Sequence, residues 1–175
     1  MRKLISISLF LISPVLHGED QTVITSDRLE FAAQEENNVF LFQDNVEVNS
    51  ENLRVTCDKL EVFSAKTGQS PSKELADIGS VDLVIADGNV HIKQDDKVAE
   101  AGHAEIFPKE GKIILTDSPK VTGPDGVVEG YRMVLYKNDK KAYVEGEPGT
   151  KQRPKITLGA LPELSFADTD TKENS

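Results

Sequence analysis

An internal repeat with a constant offset of 44 residues constrains the fold of this chain more than any other feature. Residues 45–48 (Asn-Val-Glu-Val) reappear as residues 89–92 (Asn-Val-His-Ile). Residues 57–63 reappear as residues 101–107, with Glu and Phe in identical places. A fixed period indicates that one supersecondary unit is used repeatedly and stacked on itself.

The repeated segments have the pattern of β-strands. Residues 46–48, 53–57 and 90–92 alternate apolar and polar side chains with period two. Turn-forming Asn, Asp and Gly recur every 8–12 residues, and residues 64–80 form the one long loop. Short strands at this spacing predict an all-β sandwich, jelly roll or barrel.

Helices over residues 27–35 and 57–66 are the competing interpretation, and Asp58 is a good N-cap for the second. The repeat decides against it. Residues 26–30 are a weaker copy of the same element, and residues 102–106 and 130–134 are two further copies that begin with Gly and contain β-branched side chains. Such sequences favour strand over helix, so the strand interpretation fits all four uses.

Composition excludes several classes of function. The chain has 20 Lys and Arg against 30 Asp and Glu, a net charge of -10, which argues against a nucleic-acid partner. The only cysteine, Cys57, cannot form an internal disulfide and fits a small buried residue better than a nucleophile. Asp77, Asp82 and Asp87 fit surface acids better than a metal site. We therefore predict no enzyme: no catalytic residues, no cofactor and no metal.

The chain divides into three parts. Residues 1–18 resemble a cleaved export signal, with Arg2 and Lys3 before an apolar stretch that is shorter than the roughly 20 residues needed to span a bilayer. Residues 21–146 carry the strand pattern. Residues 147–175 are rich in Pro, Gly and polar side chains, so we expect a disordered C-terminal tail.

A family resemblance follows from residues 86–92. Ala86-Asp-Gly-Asn-Val-His-Ile92 resembles the Ala-acid-Gly-Asn-Val-x-Ile signature of the lipopolysaccharide-transport bridge family, the LptA/OstA-like domains. In two further segments Asp44 and Asp117 stand where the family has Gly, and Ser118 stands where it has Asn. The likeness covers about residues 24–146 and includes, in family order, the segments 24–27, 42–48, 115–121, 128–130 and 144–146.

The resemblance implies a β-jelly roll of two facing antiparallel sheets with an open-ended apolar interior. It implies a periplasmic, non-enzymatic protein that carries lipopolysaccharide from the inner to the outer membrane. The implied partners are lipopolysaccharide, through its lipid A, homologous jelly-roll domains of the inner- and outer-membrane transport components, and further copies of the chain joined head to tail. The alternatives are an inner-membrane-tethered component of the same pathway, and a structural or adhesive β-repeat protein with a filled core.

Lipid tails would need a dry trough lined by one face of alternating strands. In β-sandwiches in general such side chains fill a closed core, and the resemblance favours the trough. We expect end-to-end joining through the unpaired edges at Val23–Thr25 and Lys141–Glu145, unless Lys140 and Lys141 only protect the edge. The predicted groove-lining residues are Leu29, Phe31, Phe40, Phe42, Val46, Val48, Val55, Leu60, Val62, Val90, Ile92, Ile106, Ile114 and Val134.

Overall fold

A computed structural model describes residues 21–65, 79–137 and 139–159. Within these ranges the chain forms strands and turns and no helix, so no described helix is long and apolar enough to cross a bilayer. The strands, in chain order, are β1 (Val23–Thr25), β2 (Arg28–Ala33), β3 (Asn37–Asn49), β4 (Leu53–Ala65), β5 (Val81–Gln94), β6 (Lys97–Phe107), β7 (Lys112–Thr116), β8 (Lys120–Gly123), β9 (Gly126–Glu129), β10 (Arg132–Tyr136), β11 (Lys141–Glu145) and β12 (Lys155–Leu158).

The segment from residue 57 to residue 65 is strand, as the repeat predicts, because it lies within β4. Residues 102–106 likewise lie in β6. Of the other two copies, residues 28–30 lie in β2 and residues 132–134 lie in β10. The predicted export signal, the middle of the long loop (66–78) and the end of the tail (160–175) lie outside the described residues.

Four long strands, β3 to β6, build two half-sheets from one continuous antiparallel network. β3 pairs with β2 through residues 38–43 and with β1 through residues 47–49. β6 pairs with β7 through residues 103–107 and with β8 through residues 98–100. The first half-sheet thus has the order β2-β3-β4-β5-β6-β7-β10-β11, and the second has the order β1-β3-β4-β5-β6-β8-β9-β12.

The chain bends at three places where two consecutive residues have positive φ angles, two of them within the long strands β3 and β5 and one between β7 and β8. We call each of these places a corner. Asn45 (50°) follows Asp44 (61°), Asn89 (47°) follows Gly88 (74°), and Ser118 (61°) follows Asp117 (59°). The cross-strand register shifts at the first two corners, which is the signature of a β-bulge. Bulges bend strands, so each corner carries the chain from one half-sheet to the other.

The two half-sheets face each other across one hydrophobic cluster. Phe40 and Leu115 enter it from the first half-sheet, and Val48 and Ile92 enter it from the second. This arrangement confirms the predicted all-β fold of two facing antiparallel sheets that do not close into a barrel. β1 and β11 are edge strands, as the sequence predicts.

The segment after residue 146 contains a strand that the sequence analysis did not predict. β12 pairs with β9 through four cross-strand positions, from Lys155 opposite Glu129 to Leu158 opposite Gly126. The alternation Lys-Ile-Thr-Leu is too short, between Pro154 and Gly159, to distinguish a strand from a linker without its partner. Expected disorder is therefore wrong for these residues, and β12 is the edge of the second half-sheet.

Candidate lipid-binding interior

Strand register directs alternate side chains of both half-sheets to one inward face. Nine of the predicted groove residues lie in the buried cluster on that face. Phe31 packs against the cluster, with its ring centroid 5.0 Å from that of Phe40. Ile106 pairs with Val84 and Ile113 on the same face. The nine buried residues are Phe40, Phe42, Val46, Val48, Val55, Leu60, Val62, Val90 and Ile92.

The middle of the interior is closely packed. One cross-strand row runs from Leu60 through Ala86, Ala104 and Leu115 to Met133. Each of these side chains is at most 1% exposed. The two alanines lie in the middle of the row, between larger side chains. The side chains of this row therefore extend least into the interior on β5 and β6.

Two predicted groove residues lie on the opposite face of the sheet. Ile114 pairs with Val134, and both sit one position out of phase with the inward Ile113 and Leu115. Val134 also pairs with Tyr143, which is 55% exposed. The placement of Ile114 and Val134 in the groove is therefore wrong. They line a shallow outer cleft of about 220 Å³ with Lys112, Arg132, Tyr136, Tyr143 and Glu145.

The sequence analysis also missed inward residues on the later strands. Residues 113–115 and 133–135 are continuous apolar runs, so period-two alternation could not show which side chains point inward. The register settles this, since it pairs Leu135 with Ile113 and Met133 with Leu115. The offset of 44 could have found Ala101 and Ala104, because they stand where the first copy has Cys57 and Leu60.

The inward face remains exposed at the two ends of the roll. Leu29 pairs with the inward Phe42 on edge strand β2, and it is 48% exposed. At the other end Ile156 pairs with Val128 on edge strand β12 and is 63% exposed, and Leu158 is 51% exposed. The apolar interior therefore continues to both open ends.

Two titratable side chains in or beside the sheet have raised pKa values, Cys57 on the inward face and His103 on the outward face. Burial, and then the negative charge of Asp58, raise the pKa of the Cys57 thiol to about 11. His103 lies on the outward face, where its Nδ1 is 2.5 Å from Asp87 Oδ1, and this hydrogen bond raises its pKa. In the part of the chain that the structure describes, no group of three or more His, Cys, Asp or Glu could hold a metal ion.

Comparison with known proteins agrees with this geometry. The family model described as LptA/(LptD N-terminal domain) LPS transport protein matches residues 23–141. The fold resembles the crystal structure of LptH, the LptA homologous periplasmic component of the lipopolysaccharide transport device from Pseudomonas aeruginosa. The two are 16% identical with a TM-score of 0.62, over 82% of this chain and 96% of LptH. No curated protein sequence matches this chain significantly. The chain therefore belongs to the LptA/LptD N-terminal domain family of lipopolysaccharide transport proteins.

Proposed function

We propose that this chain is a periplasmic lipopolysaccharide-binding protein that forms part of a transport bridge from the inner to the outer membrane. The acyl tails of lipid A lie between the two half-sheets. The observation that carries the proposal is the continuous apolar face, buried in the middle and exposed at Leu29 and at Ile156 at the opposite ends. Membership of a lipopolysaccharide transport family and the fold shared with periplasmic LptH support it.

Hydrocarbon burial supplies the binding energy. Each methylene removed from water contributes about 0.8 kcal/mol, so a tail of about a dozen carbons gains on the order of 10 kcal/mol. This gain must exceed the cost of opening the packed row between Leu60 and Met133. Because β3 to β6 belong to both half-sheets, separation of the half-sheets would have to occur by bending of the chain at the corners.

The four edge strands are the surfaces for partner domains. β1 and β2 end the two half-sheets on one side, and β11 and β12 end them on the other. Unpaired edges present backbone N–H and C=O groups that a strand of another domain can satisfy. Homologous jelly-roll domains of the inner- and outer-membrane components would join here and continue the interior.

Binding of lipopolysaccharide should depend on its acyl tails. Isothermal titration of the purified chain with lipopolysaccharide, and with the same material after complete deacylation, tests this. We expect saturable binding of the acylated form and at least about 100-fold weaker binding of the deacylated form. Equal affinity for both would contradict tail burial, and binding of neither would favour the structural protein with a filled core.

A further inference from the structure

Two polar side chains are buried in the part of the chain that the structure describes, and they lie opposite each other. Asn38 on β3 is 1% exposed and Ser64 on β4 is 0% exposed. The two residues are cross-strand partners in a stretch of regular pairing that also joins Phe40 to Val62. Side chains two positions apart on a strand point to the same face. Asn38 and Ser64 therefore face the interior, on the same side of the sheet as Phe40 and Val62.

The hydroxyl group of Ser64 is buried without a partner. Its Oγ forms no hydrogen bond with any residue that the structure describes. A serine hydroxyl can donate one hydrogen bond and accept two, so removing it from water without a partner destabilises the fold. Native proteins contain few such groups, and each calls for a physical reason. A ligand that brings a hydrogen-bonding group to Ser64 would supply the missing partner.

The pair of Asn38 and Ser64 lies in the last inward row of the first half-sheet. β3 begins at residue 37 and β4 ends at residue 65, so the pair is next to the strand ends and far from the corners. The inward rows nearer the corners are apolar on both strands. Val81 on β5 pairs with Ser64 and packs against the hydrophobic cluster. The pair is thus the polar limit of an apolar face.

The second half-sheet also becomes polar toward its strand ends. Beyond the buried Ile92, the next inward position on β5 is Gln94, which pairs with Lys97 on β6. Lys97 stands two positions before Ala99, which packs against the hydrophobic cluster. On β4 the corresponding residue, Leu53, remains apolar. An amphiphilic ligand in this interior would therefore place its hydrocarbon tail toward the corners and its polar end toward the strand ends.

We propose that Ser64, with Asn38 beside it, binds a hydroxyl group carried by an acyl chain near its polar end, so that the interior prefers hydroxylated acyl chains over plain ones. The inference rests on the proposed function, because the acyl chain must first lie between the half-sheets. A site that hydrogen-bonds a ligand hydroxyl rejects the analogue that lacks it, since the buried protein group is then left unpaired.

A neutral hydroxyl fits this position better than a charged oxygen. The inward neighbours of Ser64 on the adjoining strands and rows include Val62 and Val81, which carry no charge and donate no side-chain hydrogen bond. A carboxylate or phosphate buried there would lack a compensating cation. A hydroxyl both donates and accepts, and so it matches the hydroxyl of Ser64 and the amide of Asn38.

A serine can also be buried only because it is small. In that case the hydroxyl of Ser64 contributes nothing to ligand binding, and its removal leaves every affinity unchanged. The two interpretations therefore differ in the response of one ratio, the affinity for a hydroxylated chain divided by the affinity for the plain chain of equal length.

The test is isothermal titration of the purified chain with two fatty acids of equal length, one with a hydroxyl group on carbon 3 and one without. Both are used below the concentration at which they form micelles. Ser64→Ala removes the buried hydroxyl. The matched control is Ser80→Ala, which removes the hydroxyl of an exposed serine immediately before β5. Circular dichroism verifies that each variant is folded.

We expect the wild-type chain to bind the hydroxylated acid at least about fivefold more tightly, the effect of one neutral hydrogen bond. Ser64→Ala should bind both acids equally, and Ser80→Ala should keep the preference. Without ligand, the urea midpoint of Ser64→Ala should equal or exceed that of wild type, because the lost hydroxyl was unpaired. Equal wild-type affinities, a preference that survives in Ser64→Ala, or a lower midpoint of that variant would overturn the inference.

Lipopolysaccharide titration of the wild-type chain separates this inference from the proposed function. A chain that binds acylated lipopolysaccharide but does not distinguish the two fatty acids would overturn the hydroxyl site and leave the groove intact. A chain that binds neither lipopolysaccharide nor either fatty acid would overturn the proposed function, and the inference with it.

Discussion

Asn89 donates a hydrogen bond from Nδ2 to Asp58 Oδ2 over 2.8 Å, across the corner between β5 and β4. Asn45 makes the same bond to Asp27, over 2.6 Å, at the preceding corner. The two asparagines are 44 residues apart and the two aspartates are 31 apart, which explains why the sequence shows both offsets. The repeated unit is therefore a corner, in which a bulged strand faces one acidic residue of its neighbour.

At the third corner, both residues of this Asn–Asp hydrogen bond are replaced by other residues. Ser118 stands in place of Asn, and Gly102 stands in place of the aspartate. Gly102 donates its N–H to the carbonyl of Asp117 over 2.9 Å, and a Cβ on Gly102 would lie 2.5 Å from the Cβ of Asp117. At this corner the aspartate and the glycine have changed strands: Asp117 stands where the family has Gly, and Gly102 stands where the other corners have Asp. The absence of a side chain on Gly102 leaves room for the side chain of Asp117.

Two substitutions of Asn89 should distinguish the contribution of its side-chain hydrogen bond to stability from that of its backbone conformation. Asn89 has a φ of 47°, which Gly adopts without strain and Ala does not. We expect Asn89→Gly to lower the free energy of unfolding by about 0.5–1.5 kcal/mol through loss of the hydrogen bond. Asn89→Ala should cost about 1 kcal/mol more. Urea denaturation measures both, and an alanine variant at least as stable as the glycine variant would show that the corner imposes no strain.

Stability should depend on pH through His103. Its hydrogen bond to Asp87 raises the folded-state pKa above the ordinary value, so the protonated form stabilises the fold. This contribution is fully present below about pH 6.5, the unfolded value, and is lost as pH rises through the raised folded pKa. His103→Gln should remove that part of the pH dependence of the urea midpoint. The same slope in both proteins would mean that His103 does not contribute to it.

Cys57 should react slowly with alkylating reagents while the interior is closed. The residue is 6% exposed, and a pKa of about 11 leaves only a small fraction of the thiol as thiolate at pH 8. Compared with an ordinary thiol, the thiolate fraction is lower by roughly 100-fold. We expect iodoacetamide labelling of the native chain to be at least that much slower than labelling in urea. Similar rates would show that the half-sheets open in the free protein.

The sequence predicted the positions of most strands, but only on some strands did it predict which side chains point inward. On β3, β4 and the second half of β5, alternation between apolar and polar residues distinguishes the inward side chains of Phe40, Val55 and Ile92 from their outward neighbours. On β7 and β10 both faces are apolar, so alternation could not separate Ile113 from Ile114. Only pairing with neighbouring strands fixes the phase there, and that pairing is set by the tertiary structure.

Strand β12, in the segment after residue 146, shows a second reason why the sequence-based prediction failed. β12 is four residues long, and all four are exposed, so burial leaves no signal in its sequence. Its order comes from pairing with β9, a contact that no local pattern of residues 147–159 encodes.

Photo-crosslinking from Ile113 and Ile114 in living cells tests lipid binding between the half-sheets most directly. The two positions carry the same side chain, are adjacent in β7, and point to opposite faces. A photoreactive residue at position 113 should form an adduct with lipopolysaccharide, and the same residue at position 114 should not. Equal adducts from both positions, or an adduct from position 114 alone, would contradict an inward lipid track.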